Sequence, residues 1–405
     1  MRTIVLGAGV IGVTTAYYLA AEGHEVTVVD RASNVASATS HANGGQLSYG
    51  FADALATPAF ARTIPALLAG RNFASKIRVT PRLIPWGLKF LAQCTSWRAR
   101  STAITMLTMA KASAELMSEL QEHVDIDFSF RPAGKLVLLS TAKELQSAER
   151  TTEFKRKHGF DIEILSRNEA EALEPAIRNF DGPVKAAAFS KTDDVADARR
   201  FSTGLRNHLE QQHGVRFHLG ASASKLLCIN DQVTGVSLNG GDESIFADAV
   251  VVCLGAWSDE ILHPLRIRTH VFPVRGYSLT LPIGANAPAA SVTSLTNRFV
   301  FSRLNGSMRI AGFTDFDDFR SDKDTERIAT LRQAAKRLAP TFADYDCDDH
   351  QPWGGFRPMT PSGIPLVGPS KVPGLYLNTG HGMLGWTLAC ATAQQVAQSI
   401  QKDEK

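Results

Sequence analysis

Residues 4–12 read Ile4-Val5-Leu6-Gly7-Ala8-Gly9-Val10-Ile11-Gly12, an apolar β-type run that enters Gly-x-Gly-x-x-Gly without a spacer. The run predicts a short buried strand. In this motif the first glycine permits a tight turn, the second lets the backbone approach a pyrophosphate, and the third lets the following helix pack close to the strand. Downstream, a helix is expected over residues 12–22 with Ala16, Leu19 and Ala20 on one side. Gly23 then caps it, and Glu25–Val29 forms a second strand ending in Asp30. That acid stands 18 residues after Gly12, where a carboxylate can accept hydrogen bonds from a ribose diol. Strand, glycine turn, helix, strand and acid in this order make a dinucleotide site, whereas the glycines alone would be weak support.

Further along, Thr39-Ser40-His41-Ala42-Asn43-Gly44-Gly45-Gln46 is small, polar and glycine-rich, suited to bringing N–H groups and hydroxyls to a pyrophosphate or a ring edge. A β-branched strand, Ala247–Cys253, ends in Gly255-Ala256-Trp257-Ser258, and ligands of doubly wound sheets lie at such strand ends. An amphipathic helix is expected from Asp197 to Gln212, with strands at 214–219 and 222–227. Strands near 272–281, 299–303 and 308–312 predict an antiparallel sheet on the substrate side. Between them, 128–139 reads as a bent strand or strand pair, and helices are expected near 102–123, 142–158 and 167–172.

The length of 405 residues predicts two interlocked domains. Five dispersed cysteines, with no C-x-x-C pair and no His/Cys cluster, suit reduced thiols in a cytoplasmic compartment and predict no metal site. No apolar run reaches the length of a transmembrane helix. Charge is uneven. Of 43 Lys and Arg, nine fall in residues 54–114, which contain none of the 40 acids. That segment, rich in Ala and Leu, reads as helices broken at Pro58, Pro65, Pro81 and Pro85. It also carries Phe60, Phe73, Trp86, Phe90 and Trp97. Basic side chains among aromatic and aliphatic ones fit either peripheral docking on an anionic membrane or a solvated face or subunit contact. Nothing points to nucleic acid, and the oligomeric state stays open.

Near the C-terminus stand Gly355-Phe356-Arg357-Pro358-Met359-Thr360-Pro361 and Asn378-Thr379-Gly380-His381-Gly382-Met383-Leu384-Gly385-Trp386-Thr387. With the Gly7–Asp30 fingerprint, Thr39–Gln46, Lys225–Cys228 and Gly276-Tyr277-Ser278-Leu279-Thr280, these stretches resemble the D-amino-acid-oxidase-like flavoprotein superfamily, and most closely the bacterial D-amino acid dehydrogenases. The resemblance spans nearly the whole chain. It implies an α/β (α+β overall) fold in which a Rossmann-like FAD-binding domain (1–50, 190–265 and 350–405) is interleaved with an antiparallel-sheet substrate domain (51–189 and 266–349). It also implies FAD held on its AMP side by Gly7, Gly9, Val10, Ile11, Gly12, Asp30 and Arg31, with Ala223 against the adenine. Ser40, Asn43, Gly44, Gly45, Gln46, Gly255, Trp257, Gly380, His381, Gly382, Met383 and Leu384 complete the site around the flavin.

For an amino acid substrate Arg357 is the expected carboxylate ligand, since a guanidinium grips both oxygens. Tyr277 is a second candidate donor, or else a core aromatic. His381 is expected at the flavin and substrate without serving as a base. The implied reaction is FAD-dependent oxidative deamination of D-amino acids by hydride transfer from Cα to flavin N5. No obligatory general base is named, and a quinone-type acceptor receives the electrons. D-alanine-like and D-proline-like substrates are the expected ones. The alternatives are an oxygen-using amino acid oxidase (D-amino acid, glycine/sarcosine or hydroxyproline type) and a non-catalytic flavin-binding protein. The expected location is the cytoplasm, with peripheral contact at the inner face of the membrane through 54–114.

Overall fold

The computed structural model describes residues 1–241, 243–322, 324–348 and 350–403. Two sheets organise the chain. The first has six strands in the order Leu366–Pro369, Leu375–Thr379, Ala249–Val252, Arg2–Leu6, Glu25–Asp30 and Arg216–Leu219. All neighbours run parallel except Leu366–Pro369 against Leu375–Thr379, and Val5 lies in register with both Val28 and Val251. Such strands are apolar throughout because both faces are covered. Val5, Val28 and Val251 pack under the helices Val10–Ala21, Ala198–Gln212 and Gly385–Asp403. Ile4, Leu6, Val250 and Val252 pack on the other side, against a small antiparallel sheet of Ala223–Ile229, Gln232–Leu238 and Glu243–Phe246.

The second sheet has nine strands. Eight follow the order Gln351–Met359, Phe272–Pro282, Ser307–Phe316, Phe299–Leu304, Ser291–Ser294, Lys135–Leu139, Ala186–Ser190 and Ile162–Ser166. The ninth, Ser75–Ile77, pairs parallel with Ser307–Phe316. The sheet is otherwise antiparallel apart from Ser291–Ser294 beside Lys135–Leu139. Its apolar side packs on helix Asp324–Leu338 through Phe299, Phe301, Ile310 and Leu331.

Several elements differ from their sequence reading. Strand Gln351–Met359 pairs with Phe272–Pro282 over nine register positions, so residues 351–359 lie in the nine-stranded sheet although they fall within the 350–405 segment. Gly354-Gly355 and two prolines disguise it as a loop. In the basic segment Pro58, Pro65 and Pro85 stand in the first turn of helices, where the missing N–H is one the helix leaves unpaired anyway. The long helix begins at Ser96, not near 102. Of residues 128–139 only Lys135–Leu139 is a strand, with Arg131 making an isolated bridge to Val195.

Candidate active site

Both sheets open onto one cavity of about 1130 Å³. That exceeds the roughly 300–1,000 Å³ typical of small-molecule pockets. At one end the glycine turn forms its floor. Gly7 has a φ of 104°, and its N–H donates to Val29 O at 2.8 Å. A Cβ built on Gly12 would stand 1.7 Å from Gly7 O, so helix and strand can approach this closely only with glycine at 12. Helix Val10–Ala21 has no acid in its first turn. Ser40 Oγ accepts the Val10 N–H at 3.0 Å, while the Ile11 and Gly12 N–H groups cannot be satisfied within the helix. A helix start of this kind receives anions. Asp30 closes the second strand, accepting Ala8 N–H at 2.7 Å on one oxygen and Ala32 N–H at 2.8 Å on the other. A carboxylate offers about four acceptor positions, so two remain for hydroxyls.

Gly7, Gly9, Val10, Ile11, Asp30, Arg31, Ser40, Asn43, Gly44, Gln46, Ala223, Gly255, Trp257, His381, Gly382, Met383 and Leu384 all line this cavity. Gly12, Gly45 and Gly380 stand behind the lining and shape it. Gly45 and Gly380 have φ values of 67° and 82°, and a Cβ would meet Leu304 at 2.8 Å or Thr360 at 2.6 Å. Arg31 lies over the Trp257 ring, 4.6 Å from its centroid. The loop 42–46 is fastened to the nine-stranded sheet. Ser278 Oγ donates to Ala42 O at 2.6 Å, Arg309 to Asn43 O at 2.9 Å, and Gln46 bonds Ser291. His41 turns away from the main cavity and stacks on Trp353, 4.1 Å between centroids.

At the other end Arg357, Tyr277, Phe313, Thr314, Phe316 and Met359 form the wall. The Arg357 guanidinium crosses the neighbouring strand at Gly276, where a Cβ would lie 2.4 Å from its central carbon, and donates to Phe313 O at 2.9 Å. No carboxylate among the described residues forms an ion pair with it. Burial pushes its pKa down to about 10, opposed by the more distant Asp315 and Tyr277. Tyr277 has its ring at the cavity, but its hydroxyl donates to Asp315 at 3.0 Å, and Asp315 is ion-paired with Arg327 at 2.8 Å. His381 is buried, its Nε2 3.1 Å from Thr392 Oγ1, and burial alone lowers its pKa to about 3, so the imidazole is neutral.

Sequence reasoning missed three features. Lys135 opens an apolar strand and is marked by no motif, and it is buried at the cavity. Its Nζ donates to Ser48 Oγ at 2.8 Å, and burial lowers its pKa to about 8 against the pull of Asp193. Arg298 lies in a turn that no motif marks. Gly276 belongs to a recognised stretch, but its purpose appears only when Arg357 is seen lying across it.

A parallel sheet with a glycine turn, joined through one cavity to an antiparallel wall bearing a buried arginine, defines an oxidoreductase built around an extended dinucleotide. The chain belongs to the DAO family of FAD dependent oxidoreductases, which matches residues 2–399, and FAD is its cofactor. D-amino acid dehydrogenase 2 of Ralstonia nicotianae is 38% identical over 413 residues, covering 99% of this chain and 96% of that protein. Among solved structures, glycine oxidase from Bacillus cereus superposes with a TM-score of 0.74 at 20% identity, covering 100% of this chain and 96% of that one. L-proline dehydrogenase from P. horikoshii superposes with a TM-score of 0.72 at 19% identity, covering 99% and 93%. The residues present fit FAD: the Gly7 and Gly12 positions admit no Cβ, and the start of helix Val10–Ala21, with no acid in its first turn, lines the cavity at the pyrophosphate end.

Proposed function

We propose that the protein oxidatively deaminates D-amino acids at FAD and passes the electrons to a quinone-type acceptor. The observation that carries the reading is Arg357, a buried guanidinium without an ion-pair partner among the described residues, in the same cavity as the Gly7–Asp30 turn. The flavin, when bound, supplies the acceptor for two electrons from the substrate Cα–H. Gly7, Gly9, Val10, Ile11, Gly12, Asp30 and Arg31 hold its dinucleotide half, with Ala223 beside the adenine. Ser40 to Gln46, Gly255, Trp257 and Gly380 to Leu384 hold the rest. Arg357 binds the substrate carboxylate bidentately and thereby orients Cα. Tyr277 contributes its ring, and through Asp315 its hydroxyl keeps the floor under Arg357 rigid. Phe51, Leu55, Phe60, Phe313 and Phe316 exclude water. Neutral His381 adds no charge at the ring. The imino acid released would hydrolyse to a 2-oxo acid and ammonia, or remain a cyclic imine from a proline-like substrate.

An anaerobic titration of the flavin spectrum with D- and L-amino acids tests this. Bleaching by D-amino acids is expected, and a flavin band that no amino acid bleaches overturns the reading. Arg357→Ala should retain flavin and lose roughly 3–5 kcal/mol of substrate affinity, as for an unpaired buried charge. An affinity within a few-fold of the parent removes Arg357 from the role.

Peripheral membrane contact through 54–114 belongs to the same reading. Eight of the fourteen exposed large apolar side chains among the described residues lie between Leu68 and Ile104. Helix Leu83–Gln93 buries Trp86 and Phe90 against Phe272 and Phe316, while Ile84, Leu88 and Leu91 point outward beside exposed Trp97. Lys76, Arg78 and Arg82 are paired with Glu326, Asp317 and Asp318, so the attraction falls to the other six, Arg62, Arg71, Lys89, Arg98, Arg100 and Lys111. No helix among the described residues is long and apolar enough to span a bilayer. Anionic vesicles should bind the protein in a salt-sensitive way. Binding unchanged by Leu88→Asp with Lys89→Gln would remove this face from the model of docking.

A further inference from the structure

We infer that the preferred substrate carries a second carboxylate on its side chain, received by Arg298, so that acidic amino acids are turned over best. This rests on the amino acid reading above and adds a substrate class to it.

The charges of the antiparallel wall carry the argument. Around the Arg357 end, four arginines (Arg275, Arg298, Arg327 and Arg357) face two buried or half-buried acids. Asp324 is taken by Arg275, and Asp315 by Arg327. Arg298 and Arg357 therefore have no ion pair with any described carboxylate, and both line the cavity. Arg298 donates to Ser75 Oγ and Arg357 to Thr314 Oγ1 at 3.3 Å. Ser75 and Thr314 are register partners in a parallel pairing, so their side chains share one face of the sheet. Adjacent strands are about 4.8 Å apart. The two guanidiniums are thus fastened to neighbouring hydroxyls on one face of the sheet, and a substrate with two carboxylates offers one anion to each.

Electrostatics sharpen the contrast. Burial lowers the pKa of both arginines, but Asp315 and Tyr277 oppose the shift at Arg357 while no acid opposes it at Arg298. A cation drawn out of water without an anion is unfavourable unless a ligand supplies one. Thr293, Ser294 and Leu295 bring the turn that carries Arg298 to the cavity wall, so a side chain leaving Cα can reach it. A neutral substrate would leave Arg298 uncompensated in the complex.

The experiment compares isosteres. With the FAD-loaded enzyme and an artificial acceptor, kcat/KM is measured for D-glutamate against D-glutamine and D-aspartate against D-asparagine. The acid should exceed its amide by roughly tenfold or more in at least one pair, the scale of one charge-assisted contact. Arg298→Met should bring that ratio close to one, and Arg298→Lys should keep part of it. As a readout without turnover, glutarate or succinate should perturb the oxidised flavin spectrum at lower concentration than butyrate or propionate, and Arg298→Met should erase the difference. Amides used as well as acids by the parent enzyme overturn the proposal without any variant. An Arg298→Met that lowers acid and amide equally also overturns it, since Arg298 then grips the α-carboxylate alongside Arg357. In either case reduction of the flavin by amino acids leaves the amino acid reading standing. Reduction by no amino acid overturns both.

Discussion

The two ends of the cavity are built from different materials. The dinucleotide end is made of backbone: glycines at 7, 9 and 12, a helix start and one acid, Asp30, whose oxygens hold the turn together. The substrate end is made of long charged side chains lying flat on a sheet, Arg357 over Gly276 and Arg275 over Gly354, where a Cβ would stand 2.6 Å from the guanidinium. Glycine is required at both ends, but for opposite neighbours. At Gly12 the obstacle to a Cβ is a carbonyl that cannot move, whereas at Gly276 it is the tip of a flexible side chain.

The same substitution placed at the two ends therefore gives the sharpest contrast. Gly12→Ala sets a methyl 1.7 Å from Gly7 O, so strand and helix must separate. We expect a loss of more than ~4 kcal/mol of stability, in the range reserved for such backbone conflicts, and little or no flavin retained. Purified yield, absorbance of the flavin band and a thermal scan check this together. A folded, yellow Gly12→Ala protein would mean that the close approach of helix and strand is not what the fold depends on.

Gly276→Ala is predicted to be milder and of a different kind. The methyl displaces the Arg357 guanidinium from its place 2.9 Å from Phe313 O without touching the strand pairing. Flavin content should match the parent, with stability lowered by roughly 1–3 kcal/mol as for overpacking. Substrate KM should rise about ten- to a hundredfold, since a small misplacement of a positioning group is costly. Loss of flavin here, with an unchanged KM in what remains, would break the distinction between the two ends.

That distinction also explains what the sequence could disclose. Backbone requirements leave local marks: the Gly7–Gly12 spacing, the β-branched runs around Val5, Val28 and Val251, and the positive φ at Gly7 are all readable within a few residues. The wall leaves few such marks, because its partners are far apart in the chain. Ser75 meets Thr314 across 239 positions of sequence, as Lys76 does Asp315, and Lys135 finds Ser48 across 87. Arg357 was recognisable through its resemblance motif, but that its charge lacks a partner depended on Asp315 and Asp324 being taken by Arg327 and Arg275. Tyr277 shows the same limit. Its place at the cavity was legible, while the direction of its hydroxyl, toward Asp315, was set by a strand 38 residues away.

The smallest predicted effect lies where the two ends meet. His381 sits between the C-terminal helix, through Thr392, and the nine-stranded sheet, through a bridge to Met359. In the folded protein it stays neutral down to about pH 3, whereas in the unfolded chain it takes a proton near its ordinary value of 6.5. Between those two pH values the unfolded state binds the extra proton. The contribution is therefore fully present above about pH 6.5 and is lost progressively as the pH falls toward 3. The slope for one such group is at most about 1.4 kcal/mol per pH unit. Urea unfolding of the FAD-saturated protein between pH 7 and 5 should show this loss, and His381→Asn should flatten it whatever it does to stability at pH 7. An unchanged slope in the variant would mean that His381 meets water or an acid in solution. The contact between sheet and C-terminal helix would then be looser than the packing of either end.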